Sequence, residues 1–174
     1  MITLLRRHRG PLARWLLAAG IAVPVLIAAI AFARYRGDWP SQRFLLVYTA
    51  PLIAFGAAWA RSRLRVIDTL PDRVVLLDLA AFVLGAVRIG GSAMLPYSGH
   101  MLFLTYVAIT AASARWRWLA VCLIAMTTWF KLVLWHDRAT WLGGLLLGLA
   151  LALVSLATAH RVRALDSAAG ARKD

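Results

Sequence analysis

Ser98-Gly99-His100 and, further along, His136 are the residues of this chain whose types and spacing can do chemistry. Each His sits at one end of an apolar run: Gly99 and His100 open Met101–Ala114, and His136 closes Leu119–Trp135. With Arg115-Trp116-Arg117-Trp118 as the connection, the two runs read as a helical hairpin that crosses a bilayer and returns both imidazoles to one surface. Histidine is uncommon in membrane segments and marks function there by default. Ser98 is placed to N-cap the helix that follows, and Gly99 lets a ligand approach the backbone closely. A helix N-terminus with free N–H groups suits an anion such as phosphate. Arg88, on the preceding loop, can add a bidentate guanidinium. Lys131 lies close enough to the end of its helix to extend to the same rim. Fixed positive groups and two imidazoles on one surface suit phosphoryl transfer, whose transition state spreads charge over equatorial oxygens. One imidazole can attack phosphorus while the other protonates the leaving oxygen.

Other readings of the same residues stay open. His100 and His136 can be hydrogen-bonded helix-end residues at an interface, with Arg88 and Lys131 as plain headgroup anchors. Metal ligation by the two His is disfavoured, because no Cys, Glu or third His lies on that face. No metal or other cofactor is expected.

The elements that must position these groups are apolar helices. The chain has 174 residues, of which 62% are hydrophobic, with net charge +13. A soluble domain is about 45–50% apolar, so this composition predicts a chain that keeps its apolar surface in lipid. Strong positive charge can signal nucleic acid, but here the Arg residues sit in short segments between apolar runs, so no nucleic-acid partner is expected. The single Cys122 lies inside an apolar run and allows no intrachain disulfide. Met1–Arg14 is a basic leader, and Leu16–Ala33 is a first span, about 27 Å long as a helix. Ala31-Phe32-Ala33 resembles a signal-peptidase site, but the run exceeds a usual signal core, so a retained helix is expected. Arg34–Arg43 is a polar turn, Phe44–Ala60 a second span, Arg61–Arg73 a basic segment, and Val74–Val87 a third span interrupted by Asp78. Asp78 is expected to pair with a basic side chain, Arg73 being the nearest; a transporter reading rests on Asp78 alone. Arg88–Tyr97 is a loop, the hairpin follows, His136–Thr140 is a turn, and Trp141–Ala159 is the last span before a polar tail, His160–Asp174. Seven of the eight Trp (all but Trp129) fall near span ends or in loops, as interfacial anchors do. Gly144 and Gly148 form a small-residue packing face, expected to be intramolecular.

The expectation is therefore an all-α, polytopic membrane protein: a single domain over residues 1–174, a bundle of six transmembrane helices with both termini cytoplasmic. Most of the 20 Lys and Arg fall in the segments this topology places inside. The two His then face the exterior, which in a Gram-negative cell is the periplasmic side of the inner membrane.

Tyr97-Ser98-Gly99-His100, followed by Lys131-x4-His136-x3-Thr140-x3-Gly144, resembles the type 2 phosphatidic acid phosphatase superfamily. That family is a six-helix membrane bundle with the signatures Lys-x6-Arg-Pro, Pro-Ser-Gly-His and Ser-Arg-x5-His-x3-Asp. The resemblance covers about Ala81 to Gly148. It implies that His136 is the nucleophile that becomes a phosphohistidine, and that His100 is the acid for the leaving alkoxide and then the base for water. It also implies that Arg88, Ser98, Gly99 and Lys131 bind the phosphate oxygens of a membrane lipid phosphate. The chain departs from the pattern at Ala81 (family Lys), Ile89 (family Pro), Pro96 (displaced by one, with Tyr97 before Ser98), Lys131 (family Arg, one residue nearer the His) and Thr140 (family Asp). Asp137 and Thr140 are the residues at hand to support the nucleophile in place of that Asp. Without a carboxylate the imidazole tautomer is less firmly set. The alternative is a non-catalytic relative that binds a phospholipid headgroup or a membrane partner.

Overall fold

Hydropathy breaks mark where a chain meets water, but helix ends are set by backbone geometry, and the two differ at nearly every boundary here. The computed structural model describes residues 39–66, 70–89 and 96–170. The expected leader, the span Leu16–Ala33, most of the loop before Tyr97 and the last four residues lie outside the described residues. Among the described residues the chain is all-helical. Its elements are α1 (Trp39–Leu64), α2 (Asp72–Ile89), α3 (Gly99–Thr110), α4 (Ala114–Trp129), a π-type continuation Phe130–Leu134, and α5 (Arg138–Gly170). Two stretches, Ala114–Leu134 and Arg138–Arg161, are long and apolar enough to cross a membrane.

α1 starts inside the expected turn Arg34–Arg43, where Pro40, with its fixed φ and no N–H, suits a first helical turn. It carries on through Arg61 and Arg63. Arg88 and Ile89 end α2 instead of opening a loop. α3 stops at Thr110 because Ala111 turns extended (ψ 127°) while its N–H still bonds the Val107 carbonyl. Its 12 residues span about 18 Å, shorter than the ~30 Å of a bilayer core, and the helix ends before the expected end of the run at Ala114. Arg115-Trp116-Arg117-Trp118 is not the hairpin loop but the first turn of α4. The turn before α5 is shorter than expected, since Arg138, Ala139 and Thr140 are already helical, and α5 runs through the expected tail to Gly170.

α3 is the axis of the fold. It packs against α2, α4 and α5, and every residue from Met101 to Val107 is buried, as suits a helix that is apolar all round. Phe103 is the aromatic hub, edge-on to Trp59 and Phe82 at 5.3 Å and to Phe55 at 6.3 Å. Trp59, expected as an interfacial anchor, is instead 1% exposed in this cluster. The glycines of α5 let it approach α3 backbone to backbone: a Cβ on Gly144 would come within 2.9 Å of Met101 Cβ, and one on Gly148 within 2.5 Å of the Leu102 carbonyl. Leucines and valines on α4 and α5, among them Leu146, Leu153 and Val154, point outward and stay exposed.

Asp78 is the polar centre of this core, at 3% exposure. Its partner is Arg63 of α1, not the neighbouring Arg73: Nε lies 3.0 Å from Oδ2, and Nη2 donates to Oδ1 at 3.3 Å. Tyr106 of α3 donates its hydroxyl to Oδ1 at 2.7 Å and lies 3.3 Å from the Ser155 hydroxyl of α5. The Arg63 guanidinium also stacks over Trp59, 5.5 Å from the ring centre. Three helices thus meet at one carboxylate and a fourth joins through Tyr106, and a charge left there without its partner is strongly destabilising. Asp78→Ala is expected to lower unfolding stability in detergent by about 3–5 kcal/mol. Tyr106→Phe is expected to lower it by about 1.5–3 kcal/mol, the range for a hydrogen bond to a charge. Chemical denaturation followed by tryptophan fluorescence measures both.

Candidate functional site

Three helix ends meet at one end of the fold: the N-terminus of α3, the π-type end of α4 and the N-terminus of α5. Ser98 caps α3 with extended backbone (φ −86°, ψ 116°), its hydroxyl accepting from the Met101 N–H at 3.5 Å. Its own N–H donates to the Thr140 carbonyl at 2.7 Å, so the start of α3 is fastened to the first turn of α5. Tyr97 ties the same point to α2 by donating its hydroxyl to the Leu84 carbonyl at 3.2 Å. A Cβ on Gly85 would sit 3.3 Å from the Gly99 carbonyl, so the last turns of α2, which carry Arg88, run alongside the α3 N-terminus. Arg88's side chain lies outside the described residues. Ala81, where the family signature has Lys, is fully buried in the core.

The end of α4 widens before it stops. Phe130–Leu134 is a π-type turn, a feature frequent at functional sites. The Trp135 N–H reaches back to the Phe130 carbonyl at 3.0 Å, and the Asp137 N–H to the Lys131 carbonyl at 2.8 Å. His136 closes this turn in the left-handed region, φ 52°, a conformation that is uncommon outside glycine and in which His is several-fold enriched. The carbonyl skipped by the widened turn is that of Leu132, and the His136 ring takes it: Nδ1 lies 3.1 Å from Leu132 O. The His136 side chain is otherwise exposed.

Asp137 and Thr140 do other work than holding His136. Asp137 is the N-cap of α5: its Oδ1 accepts from the Thr140 N–H at 3.3 Å, and its Oδ2 accepts from the Thr140 hydroxyl. Lys131 donates to the same Oδ2 at 2.7 Å and lies 3.3 Å from the Thr140 hydroxyl, with its ammonium 5.4 Å from the Trp135 ring centre. A carboxylate at a helix N-terminus is favoured by the exposed N–H groups and the helix dipole. Burial alone would raise the Asp137 carboxyl, but the bonds from Lys131 and Thr140 outweigh it and hold the group below its ordinary value. His100, one residue into α3, is close enough to Lys131 for the ammonium's charge to act on its ring.

The structure therefore gathers Ser98, Lys131, Asp137 and Thr140 into one bonded cluster, with Gly99 and His100 following Ser98 in α3 and His136 next to Asp137 on the exposed turn. Lys131 enters that cluster as an ion pair, not as a free cation. Two features of the site are not among those expected from the sequence. One is the Asp137 cap, which Asp137-Arg138-Ala139-Thr140 does signal as an N-cap residue ahead of a helix. The other is the Leu132 carbonyl, which no residue type can signal.

With its folded value depressed, Asp137 contributes stability above the ordinary carboxyl value of 3.8 and loses it only as pH falls through the lower folded value. Asp137→Asn keeps a good cap residue and removes the charge. It is expected to melt below the wild type by about 1 kcal/mol at neutral pH and to converge with it in strong acid. Thermal melts across pH in one detergent check this. Comparison with protein-family models, with curated proteins and with solved structures finds no match to this chain.

Proposed function

We propose that this chain is an integral membrane phosphatase or phosphotransferase that acts on a lipid phosphate through a phosphohistidine, without a metal. In this reading the described helices belong to a six-helix bundle with both termini in the cytoplasm, and the site lies at the outer rim of an inner membrane. The observation that carries the reading is the bond from the Ser98 N–H to the Thr140 carbonyl at 2.7 Å, which joins the segment bearing His100 to the first turn of α5, directly after the turn bearing His136. The charge distribution supports the orientation. Arg115 and Arg117 open α4 at the end away from the site, about 25–30 Å along the helix from its π-type end. Leu134 and Trp135, which directly precede His136, are exposed, which favours a phosphate carried on an apolar tail.

The chemistry runs in two steps. An imidazole nitrogen of His136 forms a bond to phosphorus as the bond from phosphorus to the lipid oxygen breaks, and the leaving oxygen takes a proton from His100. Water, or an acceptor alcohol, then gives a proton back to His100 as its oxygen bonds to phosphorus and the nitrogen–phosphorus bond breaks. The N–H groups at the α3 N-terminus and the Lys131 ammonium stabilise the equatorial oxygens.

A second reading is a binder of phospholipid headgroups that performs no turnover. The Lys131–Asp137 ion pair favours it, since a cation already matched by a carboxylate attracts phosphate less strongly. The readings separate in a panel of lipid phosphates assayed for released phosphate, with and without EDTA and vanadate. Turnover that survives EDTA, is inhibited by vanadate, is abolished in His136→Ala and is lowered at least 100-fold in His100→Ala is expected. Wild-type release from His136→Ala would refute the assignment, and binding without release in the wild type would leave the headgroup binder.

A further inference from the structure

We propose that the main-chain carbonyl of Leu132 is the positioning group for His136: it holds the proton on Nδ1 and leaves the Nε2 lone pair to act on phosphorus. The inference rests on the phosphotransfer reading for the second half of that statement and on geometry alone for the first. A carbonyl oxygen can only accept, so a hydrogen bond at 3.1 Å between Leu132 O and Nδ1 requires the hydrogen to be on Nδ1. The neutral imidazole then carries its lone pair on Nε2, on a residue that is exposed.

Two features make the arrangement possible. The π-type turn Phe130–Leu134 passes its closing bonds to the carbonyls of Phe130 and Lys131, and so leaves Leu132 O for the ring. The left-handed backbone of His136 then folds the ring back over the end of its own helix. The carboxylate that is nearest in sequence is committed elsewhere, since Asp137 bonds Lys131 and caps α5 with Thr140. A neutral dipole thus does what a carboxylate does in a catalytic His–Asp pair: it selects the tautomer and aims the ring. During transfer the Nε2–phosphorus bond forms as the bond from phosphorus to the lipid oxygen breaks, and the Nδ1 proton stays on the ring, held by Leu132 O.

The direct test is the nitrogen-15 spectrum of the His136 ring in the full-length chain in detergent, assigned by its loss in His136→Asn. Nδ1 protonated and Nε2 bare is the expected result; Nε2 protonated, or the two forms averaging, would overturn the proposal. Two variants give a second readout. Asn places its amide nitrogen near the position of Nδ1 and tolerates left-handed backbone, whereas Gln extends its amide toward the position of Nε2. His136→Asn is expected to melt with the wild type and His136→Gln below it, both without turnover; the reverse order of melting contradicts the positioning. If the wild type has the expected tautomer and releases no phosphate from any lipid phosphate, the positioning stands and the phosphotransfer reading falls.

Discussion

The contact between α3 and α5 is the constraint on which the rest of this structure depends. Neither helix could come so near the other with ordinary side chains between them, because the main chain from Pro96 through the Ser98 cap to Leu102 of α3 occupies the space where the Cβ atoms of Gly143, Gly144 and Gly148 would be. The approach brings the Ser98 N–H onto the Thr140 carbonyl. It satisfies one of the donors that a helix start leaves open, and it sets the depth of the first turn of α5 against the cap of α3. Small residues that permit close backbone approach are the usual means of helix association in lipid, where apolar burial offers little driving force between helices.

Two polar clusters then occupy the two parts of the bundle. Near the seam's upper end, Lys131, Asp137 and Thr140 bond to one another around the start of α5. Further along α3, Tyr106 reaches Asp78, and Asp78 binds Arg63. The second cluster is closed on itself and buried, which suits a role in holding four helices in register. The first cluster opens on its outer side to His136. The two clusters thus differ in exposure more than in residue type.

Much of the site was legible in the sequence and much of its wiring was not. Ser98 before an apolar helix announces a cap, and the spacing of the Gly residues in α5 announces a packing face; both are local patterns with a direct physical cause. The pairing of the α3 start with the turn after α4 followed from reading two apolar runs as a hairpin. What the sequence does not carry is the three-dimensional choice among equal candidates. Asp78 had Arg73 nearby, yet the fold brings Arg63 from another helix. Asp137 stood next to His136, yet its backbone position makes it a cap. The connection at Arg115–Trp118 failed for a different reason: charged and aromatic residues suit a first helical turn at an interface as well as they suit a loop, so composition alone does not mark the boundary.

The most direct measurement of the account is to mix the chain with a lipid phosphate labelled in its phosphate, stop the reaction in base, and ask which residue carries the label. A phosphohistidine survives base and is lost in acid. Base-stable, acid-labile label on His136 is expected in the wild type, and its loss is expected in Gly144→Val, where the added side chain forces α5 away from the cap of α3 in a chain that remains helical. Label on another residue, or full labelling of His136 with the seam forced open, would contradict it.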